Sequence, residues 1–276
     1  LDVDNLADYM INSYFVGDFD APISEFLGNV RPNNFWALFN RVSSDGFKFF
    51  RHDAEHTLFN VNEDRTGPFP AGQQREHFNP QWLHQQLTAN AEYRLRFADR
   101  VYKHFFNDGA LTPERNIKRL MARKEVIDNA IIAESARWGD VLREPPYTRD
   151  VEWLKEVNYL VNDYFPQRTA IVLNQFIDKG WYPSFDPPAL NTRGGIVDKG
   201  FQLTMTSTRG RIFYTTDGID PHNPFAHGGV RIVPLAPTAA SKRVLVPKSA
   251  VSSNWRSAAA FDDSDWDLCS GAPGGI

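Results

Sequence analysis

Apolar residues at helical spacing open the chain. In DNLADYMINSYFV, residues 4–16, Leu6 and Met10 fall on one face, with Tyr9, Ser13 and Tyr14 close to it. Asp4 or Asn5 can cap this helix and Gly17 ends it. Residues 18–34 are rich in Gly, Pro, Asn and Asp and read as a loop. The pattern then changes to strands: Phe35–Arg41 and Gly46–Arg51 read as a hairpin joined by Ser43-Ser44-Asp45-Gly46. Residues 60–80 are polar and broken by Gly and Pro, so a second long loop is expected.

A helical block follows. Tyr93, Phe97, Val101 and Phe105 recur every four residues within Ala91–Phe106. Thr112-Pro113-Glu114 reads as an N-cap with proline in the first turn. From there Ile117, Leu120, Met121, Ile127 and Ile131 form a stripe towards Gly139, and Arg115–Arg123 supplies its wet face. Thr148 caps a third helix with Trp153, Val157, Leu160, Val161 and Tyr164 inside. A fourth runs from about Pro166 to Lys179 and stops at Gly180. Beyond Trp181 the text becomes linker-like and then strand-and-turn, with strands expected at Gly200–Thr206 and Arg211–Thr215. A further pattern begins near Ala240. Three segments result: 1–180, 181–239 and 240–276.

Composition narrows the function classes. Net charge is −4, so the chain has no basic field for nucleic acid or an anionic membrane. No apolar run approaches a membrane span. Cys269 is the single cysteine, which excludes an internal disulfide framework. The start, LDVDNLADYM, lacks an initiator Met and the marks of a signal peptide, and reads as the interior of a longer chain.

The candidate chemistry lies at the end of the second strand, in GFKFFRHDAEHTL, residues 46–58. Asp20, Asn33, Asn34, Asp53 and Glu55 all fall at one edge of the hairpin. Carboxylates and an amide there suit Mg²⁺, which prefers oxygen donors. Phosphoryl transfer uses such parts: one acid to orient the acceptor hydroxyl, and another with an amide to hold metal against phosphates. A zinc peptidase is the rival enzyme reading, because His52-Asp53-Ala54-Glu55-His56 matches H-x-x-E-H. That motif needs a helix to align its two histidines. After a strand they lie roughly 13 Å apart, and a turn there could rescue one pairing but not the whole motif. The remaining histidines, His77, His84, His104, His222 and His227, are scattered and read as packing or solvent residues.

Three strings then carry a resemblance: Gly17-Asp18-Phe19-Asp20, Asn33-Asn34-Phe35-Trp36 and Phe50-Arg51-His52-Asp53-Ala54-Glu55. Together with the opening helix and Phe78-Asn79-Pro80-Gln81-Trp82, they resemble the CotH (spore coat) family of atypical kinases over roughly residues 1–180. The resemblance implies an α+β fold: the mostly helical C-terminal lobe of an atypical protein-kinase-like fold, with a β hairpin. It implies Asp20 as the catalytic acid, Asp53 as the Mg²⁺ ligand, Asn34 as the residue assisting at metal and ATP, and Glu55 as a further metal ligand. The sequence departs from the family pattern at Asp18, Ala21 and His52. The family's nucleotide lobe, with its phosphate-holding Lys and Glu partner, is expected before residue 1, so the fragment alone is expected to be inactive. The phosphoacceptor is expected to be Ser or Thr of a surface or coat protein, outside a bacterial cell.

Residues 194–221 resemble the chitobiase/β-hexosaminidase C-terminal module through Tyr214-Thr215-Thr216-Asp217-Gly218-Ile219-Asp220-Pro221. That likeness implies a small immunoglobulin-like β sandwich on a secreted enzyme, with carbohydrate as a further partner. The tail, with Trp255 and Ala260–Trp266, resembles the opening of a galactose-binding-like module. A non-catalytic extracellular scaffold fits the same modular arrangement.

Overall fold

The computed structural model describes residues 1–42, 46–72, 77–216, 242–244, 262 and 264–269. It divides the chain into two units, one of residues 1–40 and 45–186, the other of residues 41–44 and 187–276.

The first unit is built around α1, Val3–Val16, and eight of its fourteen residues are buried. Leu6, Met10, Ile11 and Tyr14 have no exposed surface. The cap is Asp2 rather than Asp4 or Asn5, and its carboxylate accepts from Asn5 N at 3.0 Å. Asn5 has another task. Its side chain pairs with both main-chain groups of Phe49, at 2.5 Å to the N–H and 3.2 Å to the carbonyl. It thereby satisfies a strand edge that would otherwise be buried unpaired. Gly17 ends the helix at φ 62°, and a Cβ there would meet the Glu63 Cβ at 3.0 Å.

Residues 18–34 are more ordered than a loop. Two short strands, β1 (Ile23–Ser24) and β2 (Arg31–Pro32), pair antiparallel. Their ribbon is too short and too polar to show in hydrophobic alternation. β3 (Phe35–Phe39) and β4 (Phe47–Arg51) form the expected hairpin in the register Phe35↔Arg51. Of its turn, Ser43–Asp45 lie outside the described residues. Phe49 faces the core, while Trp36, Leu38 and Phe50 are exposed.

Four helical segments complete the unit. α2 (Pro80–Leu87) is capped by Asn79, which accepts from Trp82 N at 2.8 Å. α3 (Ala91–Phe105) buries the expected Tyr93, Phe97, Val101 and Phe105. Asp8 on α1 ties the two helices together through Arg100 and His104. α4 (Pro113–Trp138) starts where expected, but the Thr112 hydroxyl donates to the Gly109 carbonyl instead of capping the helix. Its apolar stripe is half-covered: Ile117, Leu120, Ile127 and Ile131 are half-buried, the first two packed against the core, while Met121 is 43% exposed. The expected third and fourth helices are one rod, running from the π turn Arg149–Trp153 through α5 (Leu154–Tyr159) and the π turn Leu160–Tyr164 into α6 (Phe165–Asp178). The wider turn passes Pro166 without a break, because Phe165 N–H bonds the carbonyl five residues back at Leu160.

Arg168 on α6 is fully buried and holds the C-terminal end of α1. It donates to the carbonyls of Phe15, Tyr14 and Val61 at 2.7, 2.6 and 2.5 Å. A guanidinium there satisfies orphan helix-end carbonyls and complements the helix dipole. The result is a rigid base directly under Gly17 and Asp18.

The second unit shows two short antiparallel pairs: β5 (Ala189–Leu190) with β6 (Met205–Thr206), and β7 (Lys242–Val244) with β8 (Asp267–Cys269). The expected strand Gly200–Thr206 is reduced to its last two residues, and Arg211–Thr215 is not a strand. Phe213 and Tyr214 are 60% and 66% exposed, so that stretch buries no apolar face among the described residues. Asp217–Pro221, His222, His227 and Trp255 lie outside the described residues. Among the described residues no helix is long and apolar enough to cross a membrane.

Candidate active site

The site is assembled by three segments that meet beyond the end of α1. The first is the turn after Gly17. Asp18 N bonds the Ser13 carbonyl at 3.2 Å, and the Asp18 carboxylate accepts from Asp20 N at 3.0 Å. Asp18 is buried and ion-paired with Arg51, the last residue of β4. Burial pushes its carboxyl above the usual range, and the Arg51 charge and the amides of Asp20 and Ala21 oppose that push. Arg65, also buried, donates to the Asp18 carbonyl at 3.1 Å and the Ile23 carbonyl at 3.1 Å, and pairs with Glu25. The backbone carrying Asp20 is therefore clamped from both sides.

The second segment is the β1–β2 ribbon, which returns Asn33 and Asn34 to Asp20. The Asp20 carboxylate is 6% exposed as a residue. Ser24 Oγ donates to one oxygen. Asn33 and Asn34 Nδ2 donate to the other at 3.2 and 2.8 Å.

The third segment is the chain after β4. His52 N bonds the Asn34 carbonyl at 3.2 Å. Asp53 then turns the chain with φ 48°, in the left-handed region that Asp and Asn tolerate better than other side chains. Its carbonyl accepts from Asn34 Nδ2 at 3.2 Å. One amide nitrogen thus touches the Asp20 carboxylate and the Asp53 main chain. This leaves Asn34 Oδ1 without a donor among the described residues. The Asp53 side chain is exposed at the same edge.

Asp20, Asn33, Asn34 and the main chain of Asp53 meet at this edge, and the Glu55 carboxylate joins Asp20. His56, which strand context sets aside, meets them as well. The ligand atoms of Asp20, Glu55 and His56 lie within 4.8 Å of one another. The two histidines of H-x-x-E-H part company: His52 packs edge-on against Trp36 at 5.6 Å, while His56 lies on Phe26 at 4.0 Å. The peptidase pairing is therefore not formed, because the turn at Asp53 sends the rings to different neighbours. A separate cleft, lined by Trp138, Tyr147, Glu152 and Trp153, contains none of these residues.

A family model described as CotH kinase protein matches residues 1–172. The chain belongs to the CotH kinase family. No curated protein and no solved structure matches it. In this CotH-family chain, the matched region covers the turn after α1, the ribbon, the hairpin and the helices that support them. Asp18 and Arg51 are the residues that sequence reasoning undervalued. An acid two positions before another, with an Arg closing the facing strand, is their only signal in the text.

Proposed function

We propose that residues 1–180 carry the acid- and metal-holding part of a phosphoryl-transfer site, acting on Ser or Thr of a surface or coat protein with ATP and Mg²⁺. The observation that carries this reading is Asn34 Nδ2, shared between the Asp20 carboxylate and the Asp53 carbonyl. It sets the Asp20 carboxylate beside the main chain of a second, exposed acid, which supports the orientation of an acceptor hydroxyl near a metal-bound phosphate. The donor set fits a hard cation: Asn34 Oδ1 and the carboxylates of Asp53 and Glu55 are oxygen ligands. Bound Mg²⁺ neutralises charge on the transferring phosphate. Asp20 accepts hydrogen bonds on both oxygens, and its role is to receive the acceptor hydroxyl. Trp36 and Phe50, paired across the hairpin and both exposed, offer a flat apolar surface beside His52 of the kind on which bases stack.

A second reading has one observation in its favour. Asp20 is buried with three donors, which also suits a carboxylate that pins a turn in a non-catalytic scaffold. Mass spectrometry of phosphoserine and phosphothreonine after incubation of the protein, with whatever sequence flanks residues 1–276, with ATP and Mg²⁺ separates the two. Phosphate gained by wild type and not by Asp53→Ala supports the kinase; no phosphate in either supports the scaffold. The chitobiase-like β module at 181–239, the incomplete module at 240–276, carbohydrate contact and an extracellular location belong to this proposal on sequence resemblance alone.

A further inference from the structure

Beside the oxygen donors at Asn34 and Asp53 lies a second donor set of different chemistry. We infer that Asp20, Glu55 and His56 bind a transition-metal cation of the Zn²⁺ class, with Glu55 the one ligand shared with the Mg²⁺ set.

Three independent observations carry this. The first is geometric. The three ligand atoms lie within 4.8 Å of one another, and His56 Nε2 stands 3.4 Å from Glu55 Oε1. Tetrahedral zinc with bonds of ~2.0–2.1 Å separates neighbouring donors by ~3.3–3.4 Å, so this pair already spans one edge. The Glu55 side chain is 56% exposed and is free to swing towards a shared ion.

The second is electrostatic. Asp18, equally buried, has Arg51 as its counter-charge. Asp20 has no Arg or Lys paired with it among the described residues; its hydrogen-bond donors are the neutral groups of Ser24, Asn33 and Asn34. A carboxylate so far out of water, facing a second carboxylate, favours a cation between them.

The third is preorganisation. His56 is held in an aromatic niche, with Phe26 at 4.0 Å, Phe19 at 5.0 Å and Phe59 at 6.5 Å. Its carbonyl accepts from Phe19 N at 3.4 Å. Asp20 is oriented by hydrogen bonds on both oxygens. Metal ligands are typically fixed in this way by outer partners. The imidazole is what distinguishes the set: nitrogen donors favour zinc and its neighbours over Mg²⁺.

Such an ion draws on the carboxylate that the proposed function needs as its acid. That consequence rests on the proposed function; the binding site does not. Calorimetric titration of the purified chain with ZnCl₂, in a non-chelating buffer with Mg²⁺ present, tests the site without any nucleotide. The expected result is one ion per chain, with affinity reduced at least ~10-fold in His56→Gln and in Glu55→Gln and unchanged in His52→Gln. Thermal melting with and without zinc checks that each variant folds, since a ligand held by the native state raises Tm. No zinc bound by wild type, or equal binding in His56→Gln and Glu55→Gln, overturns the inference and leaves the phosphoryl-transfer reading standing. Loss of phosphate transfer as the sole failure overturns that reading and leaves the zinc site.

Discussion

Asn34 donates its side-chain amide to the Asp20 carboxylate at 2.8 Å, and the same nitrogen reaches the Asp53 carbonyl at 3.2 Å. One nitrogen thereby ties the turn after α1 to the chain that leaves β4. Asn34→Ala removes it while leaving Asn33 and Ser24 on Asp20. A stability loss of about 1–2 kcal/mol is expected from the lost hydrogen bonds. Phosphate transfer should fall much further, by at least ~10-fold, because two groups lose their mutual placement. Chemical denaturation and initial-rate measurements on the same samples check the split.

The Asp18–Arg51 ion pair joins the same two segments below the site. Arg51→Met leaves a buried carboxylate without its partner and is expected to cost about 3–5 kcal/mol. Asp18→Asn with Arg51→Met removes both charges and should recover a large part of that loss. A double-mutant cycle by urea unfolding measures the coupling. Additive single effects would show that the pair is not the joint described here.

His84 predicts a pH dependence. It is fully buried among Tyr14, Phe97 and Trp181, with Nδ1 2.7 Å from the Tyr93 hydroxyl and Nε2 unpartnered among the described residues. Burial pushes its pKa down to about 3. The unfolded chain takes up a proton near pH 6.5 that the folded chain refuses. The sign follows: stability is highest above pH 6.5 and falls by about 1.4 kcal/mol per unit as pH drops from there towards 3. His84→Phe should flatten that slope by one proton, whatever its effect at neutral pH. Denaturant midpoints at pH 5 and pH 7 for both proteins decide it.

Much of this architecture is legible in the text. The stripe Tyr93, Phe97, Val101, Phe105 packs as its spacing says, because one helical face touches one core. The hairpin register follows from its aromatic residues. Other features depend on partners distant in sequence. The β1–β2 ribbon has two residues a side and no alternation to read. The stripe on α4 is real in sequence and half-covered in space, since amphipathic spacing does not say how fully a neighbour covers it. Pro166 reads as the start of a separate helix, and a π turn joins it to the one before. In the site, Asp20, Asn34 and Asp53 are visible from motif order. His56 is not, because a left-handed residue at Asp53 redirects the chain after the strand, and one φ angle leaves no periodic trace.

In the proposed function Asp20 acts as the acid of a phosphoryl-transfer site instead of only pinning a turn. The most direct measurement is the rate of labelled phosphate incorporation from ATP with Mg²⁺, in the protein with whatever sequence flanks residues 1–276, comparing wild type with Asp20→Asn. Asparagine keeps the shape and one hydrogen-bonding oxygen while removing the basic carboxylate. The account predicts a loss of at least ~10²-fold with a melting temperature close to wild type. Equal incorporation by the two proteins would contradict it.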